Sequence, residues 1–122
     1  MNAKIEKLNR YFEACIEKCN VDGQRLMADE RMDEANFEKV KANVYDIFRT
    51  MLAVGQKMGK EDPDEVKAFF LGKLAQIPSN WALSYDQARA HGDVVKMHIE
   101  QIKLDTVGEI RAQFEKIWEE IK

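Results

Sequence analysis

The sequence predicts an all-α fold: an antiparallel helical bundle of about five helices, three of them long. Three observations carry that expectation. Apolar residues recur at alternating steps of three and four along almost the whole chain, and period-two alternation never persists. Only two prolines and six glycines interrupt the 122 residues. Aspartate, proline and glycine stand where helix ends are needed. The length suits one domain over residues 1–122, since domains commonly run to ~100–150 residues.

The first helix rests on Ile5, Leu8, Phe12, Cys15 and Cys19, and Leu26 keeps their phase beyond Gly23. One helix over about residues 3–28 is expected, weakened at Gly23 by ~1 kcal/mol relative to alanine. Asp29, Glu30, Arg31 and Met32 then reverse the chain. In the second helix Phe37, Val40, Val44, Ile47, Met51, Val54 and Met58 form an apolar seam, which Tyr45, Phe48 and Leu52 widen into a broad face. Asp33 is expected to cap it, Met32 to staple onto Phe37, and Gly59 to stop it.

The third helix has the clearest start. Asp62 caps, Pro63 takes the first helical position, and Glu65 follows in the first turn. Val66, Phe69, Phe70, Leu74 and Ile77 share one side. Pro78 is expected to end this helix, because the residue before a proline is pushed out of helical geometry. A short fourth helix then carries Trp81, Tyr85 and Ala88, starting as late as Tyr85 if Ser84 and Gln87 form a capping box. His91, Gly92 and Asp93 read as a stop and a cap. An unbroken helix through Gly92 is the alternative, since Tyr85, Ala88, Gly92, Val95 and Ile99 also keep step. The last helix, about residues 94–121, presents Val95, Ile99, Ile102, Ile110, Phe114, Ile117 and Ile121.

Composition narrows the function. The longest apolar run, Ala68 to Leu71, is far short of the ~20 residues of a membrane span. The first residues alternate charge with apolar side chains, so no secretory signal is expected. The net charge is −3, and Lys and Glu are interleaved without a basic stripe, so no nucleic-acid partner is expected. A cytoplasmic protein of bacterial type, with no membrane partner, is expected.

Candidate chemistry is sparse. Cys15 and Cys19 lie one helical turn apart, and with His91 and His98 they match a zinc site in number but not in spacing. Side chains four apart on a helix have Cβ atoms ~5–6 Å apart, too far for the ~3.8 Å of a disulfide. Both cysteines are expected as small buried hydrophobes. No Glu-x-x-His pair occurs for a di-iron site, and His98 and Glu100 are too close in sequence to point inward together. Residues 29–34 lack the glycine of a calcium loop, and no phosphate-binding loop or nucleophile elbow is present. No catalytic residue, metal or cofactor is assigned, and a non-enzyme is expected.

What remains is association. Helices this long span a domain whose radius of gyration is near ~14 Å. The face around Tyr45, Phe48 and Leu52, and that around Phe114 and Trp118, are therefore expected to lie uncovered in a single chain and to form an interaction surface. The expected function is non-catalytic: self-association as a two-fold homodimer, or binding to another protein. The alternative is a bundle that holds a small molecule in an interhelical apolar pocket. Should the third and fourth helices fold back over those faces, a monomer results.

Overall fold

The computed structural model describes residues 3–60 and 62–120. Four α-helices fill them: α1 (Ala3–Ala28), α2 (Met32–Met58), α3 (Pro63–Ala90) and α4 (Val94–Glu120). No strand occurs among the described residues. Short links make sequential helices antiparallel. α2 packs against all three other helices, whereas α1 and α3 lie on a diagonal and α1 meets α4 only loosely.

The chemistry of the helix ends is local, and most of it reads directly from sequence. The Asp62 carboxylate accepts a hydrogen bond from the Asp64 N–H at 3.0 Å, with Pro63 at the first helical position. Asp93 caps α4 by accepting from the Lys96 N–H at 3.1 Å, and Gly92 is left-handed at φ 70°, so the chain does break there. α1 runs unbroken through Gly23. Asp33 does not cap α2: the helix begins at Met32, and its cap position, Arg31, makes no side-chain capping bond. Asp33 and Glu34 instead place negative charge in the first turn, and Arg31 pairs with Glu34. Met32 stays exposed rather than serving as a staple. At Gly59 the need is for space, since a Cβ would lie 3.0 Å from the Gly55 carbonyl oxygen and 3.2 Å from the Glu65 Cβ. The left-handed residue of that link is Lys60, at φ 50°.

The helix count is four because α3 does not stop at Pro78. It continues to Ala90, merging two expected helices, and the Ser84–Gln87 pair starts nothing. Pro78 has no N–H to give the Leu74 carbonyl. Arg111 of α4 donates to that carbonyl instead, at 3.3 Å. The orphaned acceptor is thus satisfied from the neighbouring helix, which offsets one of the two costs of an internal proline, the unpaired carbonyl, and leaves the steric one to be absorbed by the packing of α3.

One phenylalanine from each helix builds the centre of the core. Phe70 of α3 meets Phe114 of α4 at 4.8 Å between ring centroids, Phe48 of α2 at 6.0 Å and Phe12 of α1 at 6.3 Å. Leu8, Leu52, Leu74, Ile110 and Ile117 close around them, fully buried. On α2 the deepest line is Tyr45, Phe48, Leu52, Gly55 and Gly59, not the seam through Phe37, Ile47 and Met58. α2 has helices on several sides, so both lines find cover, and the two glycines let α3 approach on the inner one. Met58, at 66% exposure, lies at the open edge of the seam. On α4, Ile110, Phe114 and Ile117 are buried, but Val95 is 67% exposed; Ile121 lies outside the described residues. The core is polarised: residues 20–34 and 89–99, at the end that holds both hairpin turns, include no buried residue.

Candidate functional site

The five residues expected to form an interaction surface are inside the bundle. Tyr45, Phe48, Leu52, Phe114 and Trp118 are all 7% exposed or less. Three helices share the cover. α3, one 28-residue helix, sets Phe70 and Trp81 against Phe48 and Phe70 against Phe114. Tyr45 is closed in by Tyr11 of α1 and Glu109 of α4, and Lys4 of α1 lies over the Trp118 ring; the uncovered faces are not present in the single chain.

A long opening lies where the bundle is loosest, between α1 and α4. α2 forms its floor. One stretch, of ≈ 650 Å³, is lined by Tyr11, Cys15 and Cys19 of α1, by Glu38, Lys41 and Tyr45 of α2, and by Glu109 and Lys116 of α4, among others. It continues toward the hairpin turns into a second stretch of ≈ 430 Å³, with Leu26, Phe37, His98 and Ile102 on its walls. Two pairs of polar groups in this cleft satisfy one another. The Tyr45 hydroxyl donates to Glu109 Oε2 at 3.2 Å, and Lys41 Nζ donates to Glu38 Oε1 at 3.3 Å. Tyr11 sets its ring edge-on to Tyr45 at 6.1 Å.

Burial pushes the titrating groups here toward their neutral forms. The Cys19 thiol is pushed up to about 11, first by burial and then by the neighbouring Glu38 carboxylate. Tyr11 and Tyr45 are raised as well, chiefly by burial. A nucleophilic cysteine needs the opposite, an environment that favours the thiolate.

The structure does not gather the cysteines and histidines that match a zinc site in number. Cys15 and Cys19 line one stretch of the cleft, and His98 stands in the other, its ring 4.5 Å from that of Phe37 and edge-on to it. His91 lies exposed at the end of α3, its N–H on the Gln87 carbonyl. Among the described residues no three His, Cys, Asp or Glu side chains converge as a metal-holding group. The cysteines are free, Cys19 buried and Cys15 half-buried. No described helix is long and apolar enough to cross a membrane.

A second surface was not singled out from sequence: the outward face of α3. Between Ala68 and Tyr85 the only charged residue is Lys73, in a chain that is 34% charged. Ala68, Gly72, Ala75, Ser79, Ala82 and Leu83 are exposed there. That charge gap is visible in the sequence, but reading it as one face requires a helix that continues past Pro78. No protein-family model, no curated protein and no solved structure matches this chain.

Proposed function

We propose that this chain is a non-catalytic helical module that works by self-association, as a homodimer in the cytoplasm of a bacterial-type cell. The observation that carries the reading is the α3 face: the bundle closes its own core and still leaves an exposed stretch, between Ala68 and Tyr85, with Lys73 as its one charge. Solvated helix faces of this chain otherwise hold Lys, Arg, Asp and Glu throughout, and an uncharged exposed surface is a mark of association. The raised Cys19 thiol and the Tyr45–Glu109 and Lys41–Glu38 pairs in the cleft favour a non-catalytic role. Light scattering coupled to size exclusion tests it. The expected species has twice the 14.2 kDa chain mass at micromolar concentration; a single species of chain mass, unchanged on concentrating, overturns it.

The α1–α4 cleft favours a second reading, a bundle that takes up a small molecule. Its ≈ 650 Å³ stretch has the size of a ligand site. A ligand there would meet the Tyr45–Glu109 pair, so a thermal-shift screen should give hits in the native protein that Tyr45→Phe weakens.

A further inference from the structure

Two features of the outward α3 face have no explanation within the single chain. The first is Gly72. A glycine in a helix interior costs about 1 kcal/mol relative to alanine, and a Cβ built on Gly72 meets nothing within 4 Å. The fold has room for a side chain here and carries none. The second is a pattern of charge. Positions 65, 68, 72, 75, 79, 82, 86 and 89 step by three and four along the exposed side of α3, opposite the buried line of Val66, Phe70, Leu74 and Ala88. The charges of this row stand at its ends: Glu65 at the start, Asp86 and Arg89 at the finish. Among the described residues neither Glu65 nor Arg89 makes an ion pair.

We infer that α3 docks on α3 of a second copy, antiparallel and centred on Ile77. This deepens the self-association proposed above and rests on it. The row is its own complement in that register. Ala75 faces the partner's Ser79, Gly72 faces the partner's Ala82, and Glu65 faces the partner's Arg89, each contact made twice by the two-fold axis. Three-and-four spacing puts these pairs in successive layers of an antiparallel helix pair. Gly72 and the alanines allow the backbones to approach closely, which is the use a side-chain-free position has at a helix–helix contact. Ala68 faces the partner's Asp86, one turn from the arginine at the rim. A parallel pair in register would set Glu65 against Glu65 and Arg89 against Arg89, so charge selects the antiparallel arrangement. Lys73 is turned aside, its Nζ 5.4 Å from the Phe69 ring centroid and 3.2 Å from Gln76 Oε1. Gly108 of α4 also has open space around its Cα, but Asp105, Glu109, Arg111 and Glu115 surround it in sequence, and no charge-poor face continues from it.

The experiment measures mass by light scattering across a concentration series for the wild type and for Gly72→Glu, Gly108→Glu, Glu65→Arg and the double variant Glu65→Arg/Arg89→Glu. Circular dichroism of each confirms helix content, which the open surroundings of these positions should preserve. The expected wild-type species is a dimer, retained by Gly108→Glu and lost in Gly72→Glu. Glu65→Arg should weaken it about tenfold by placing two arginines together at each end, and the double variant should restore it. A wild-type dimer that persists in Gly72→Glu overturns the α3 docking while leaving self-association intact. A Gly72-sensitive dimer in which the double variant is no stronger than Glu65→Arg overturns the register. A wild type at chain mass throughout overturns the docking and the function it rests on.

Discussion

Glu30 and Gly92 hold the same place in the two hairpin turns. The Arg31 N–H reaches back to the Leu26 carbonyl at 2.8 Å and the Glu30 N–H to Met27 at 3.0 Å; Asp93 and Gly92 do the same to Ala88 at 2.9 Å and Arg89 at 3.2 Å. Both turns need a left-handed residue, and only one uses glycine: Glu30 has φ 61°, Gly92 φ 70°. The following residue also differs, since Asp93 caps its helix and Arg31 does not. Glu30→Gly should therefore stabilise the fold by about 1 kcal/mol, and adding Arg31→Asp by about 1 more, while Gly92→Ala should destabilise by about 1. Urea denaturation checks all three, and a Glu30→Gly protein no more stable than wild type would show that the turn is not strained. Cys19 gives a pH signature. Its protonated form is favoured by the native state, so its contribution is complete below its ordinary value of 9.0 and is lost as pH rises toward about 11. Cys19→Ala should cost about 1–2 kcal/mol near neutral pH and then lose less stability than wild type across that alkaline window. The raised tyrosines act in the same direction at higher pH. Parallel pH–stability curves for the two proteins would refute the assignment.

At the scale of the helix, Pro78 and Arg111 decide the architecture. The Leu74 carbonyl has lost its helical donor and gained a guanidinium 37 residues further along the chain. Arg111→Ala should cost about 1 kcal/mol in the wild type. In a Pro78→Ala background, where residue 78 again supplies an N–H, the same change should cost close to nothing. Equal costs in the two backgrounds, measured as a double-mutant cycle, would mean that the contact contributes nothing to α3. This pair also explains what the sequence could show and what it could not. Asp62, Asp93 and Gly92 act on neighbours two to five residues away, so the ends of α3 and α4 are legible from local chemistry. The passage through Pro78 depends on a residue of another helix, and no local pattern contains it. The expectation that Tyr45, Phe48, Leu52, Phe114 and Trp118 stand uncovered failed for a related reason. The periodicity found them as apolar faces, but the partners that close them, Phe70 and Trp81 of α3 on Phe48 and Tyr11 of α1 with Glu109 of α4 on Tyr45, come from other helices. The cleft was legible only in fragments: Cys15, Cys19 and His98 stood out as chemically capable types, whereas Tyr11, Glu38, Lys41 and Glu109 acquire meaning only when three helices bring them together.

The whole molecule has a tight end and a loose end. Phe12, Phe48, Phe70 and Phe114, with the leucines and isoleucines around them, pack the half near the α2–α3 link. The half that carries both hairpin turns has no buried residue in 20–34 or 89–99, contains Gly23, and exposes Met27 at 54%, Met32 at 57%, Val94 at 72% and Val95 at 67%. The cleft also reaches this end, with Leu26, Phe37 and His98 on its walls, and α1 meets α4 only loosely while each stays paired within its own hairpin. Local opening is easiest where few apolar contacts must be broken. The two hairpins should accordingly separate at their turns without unfolding at their centres. Amide hydrogen exchange checks this residue by residue. Amides of residues 8–19, 44–55, 66–77 and 107–118 should exchange only through global unfolding, and their protection should fall in step with denaturant. Amides of residues 22–28, 35–40 and 96–101 should exchange at least about tenfold faster, through openings that expose little surface and so respond weakly to denaturant. Association along α3 would raise protection over the whole row, residues 65–89, and leave residues 22–28 of α1 unchanged, since α1 takes no part in the proposed contact. Uniform protection over both halves of α1 would mean that the loose end is held as firmly as the core, and that the cleft between α1 and α4 is a fixed feature of the surface rather than the place where the bundle opens.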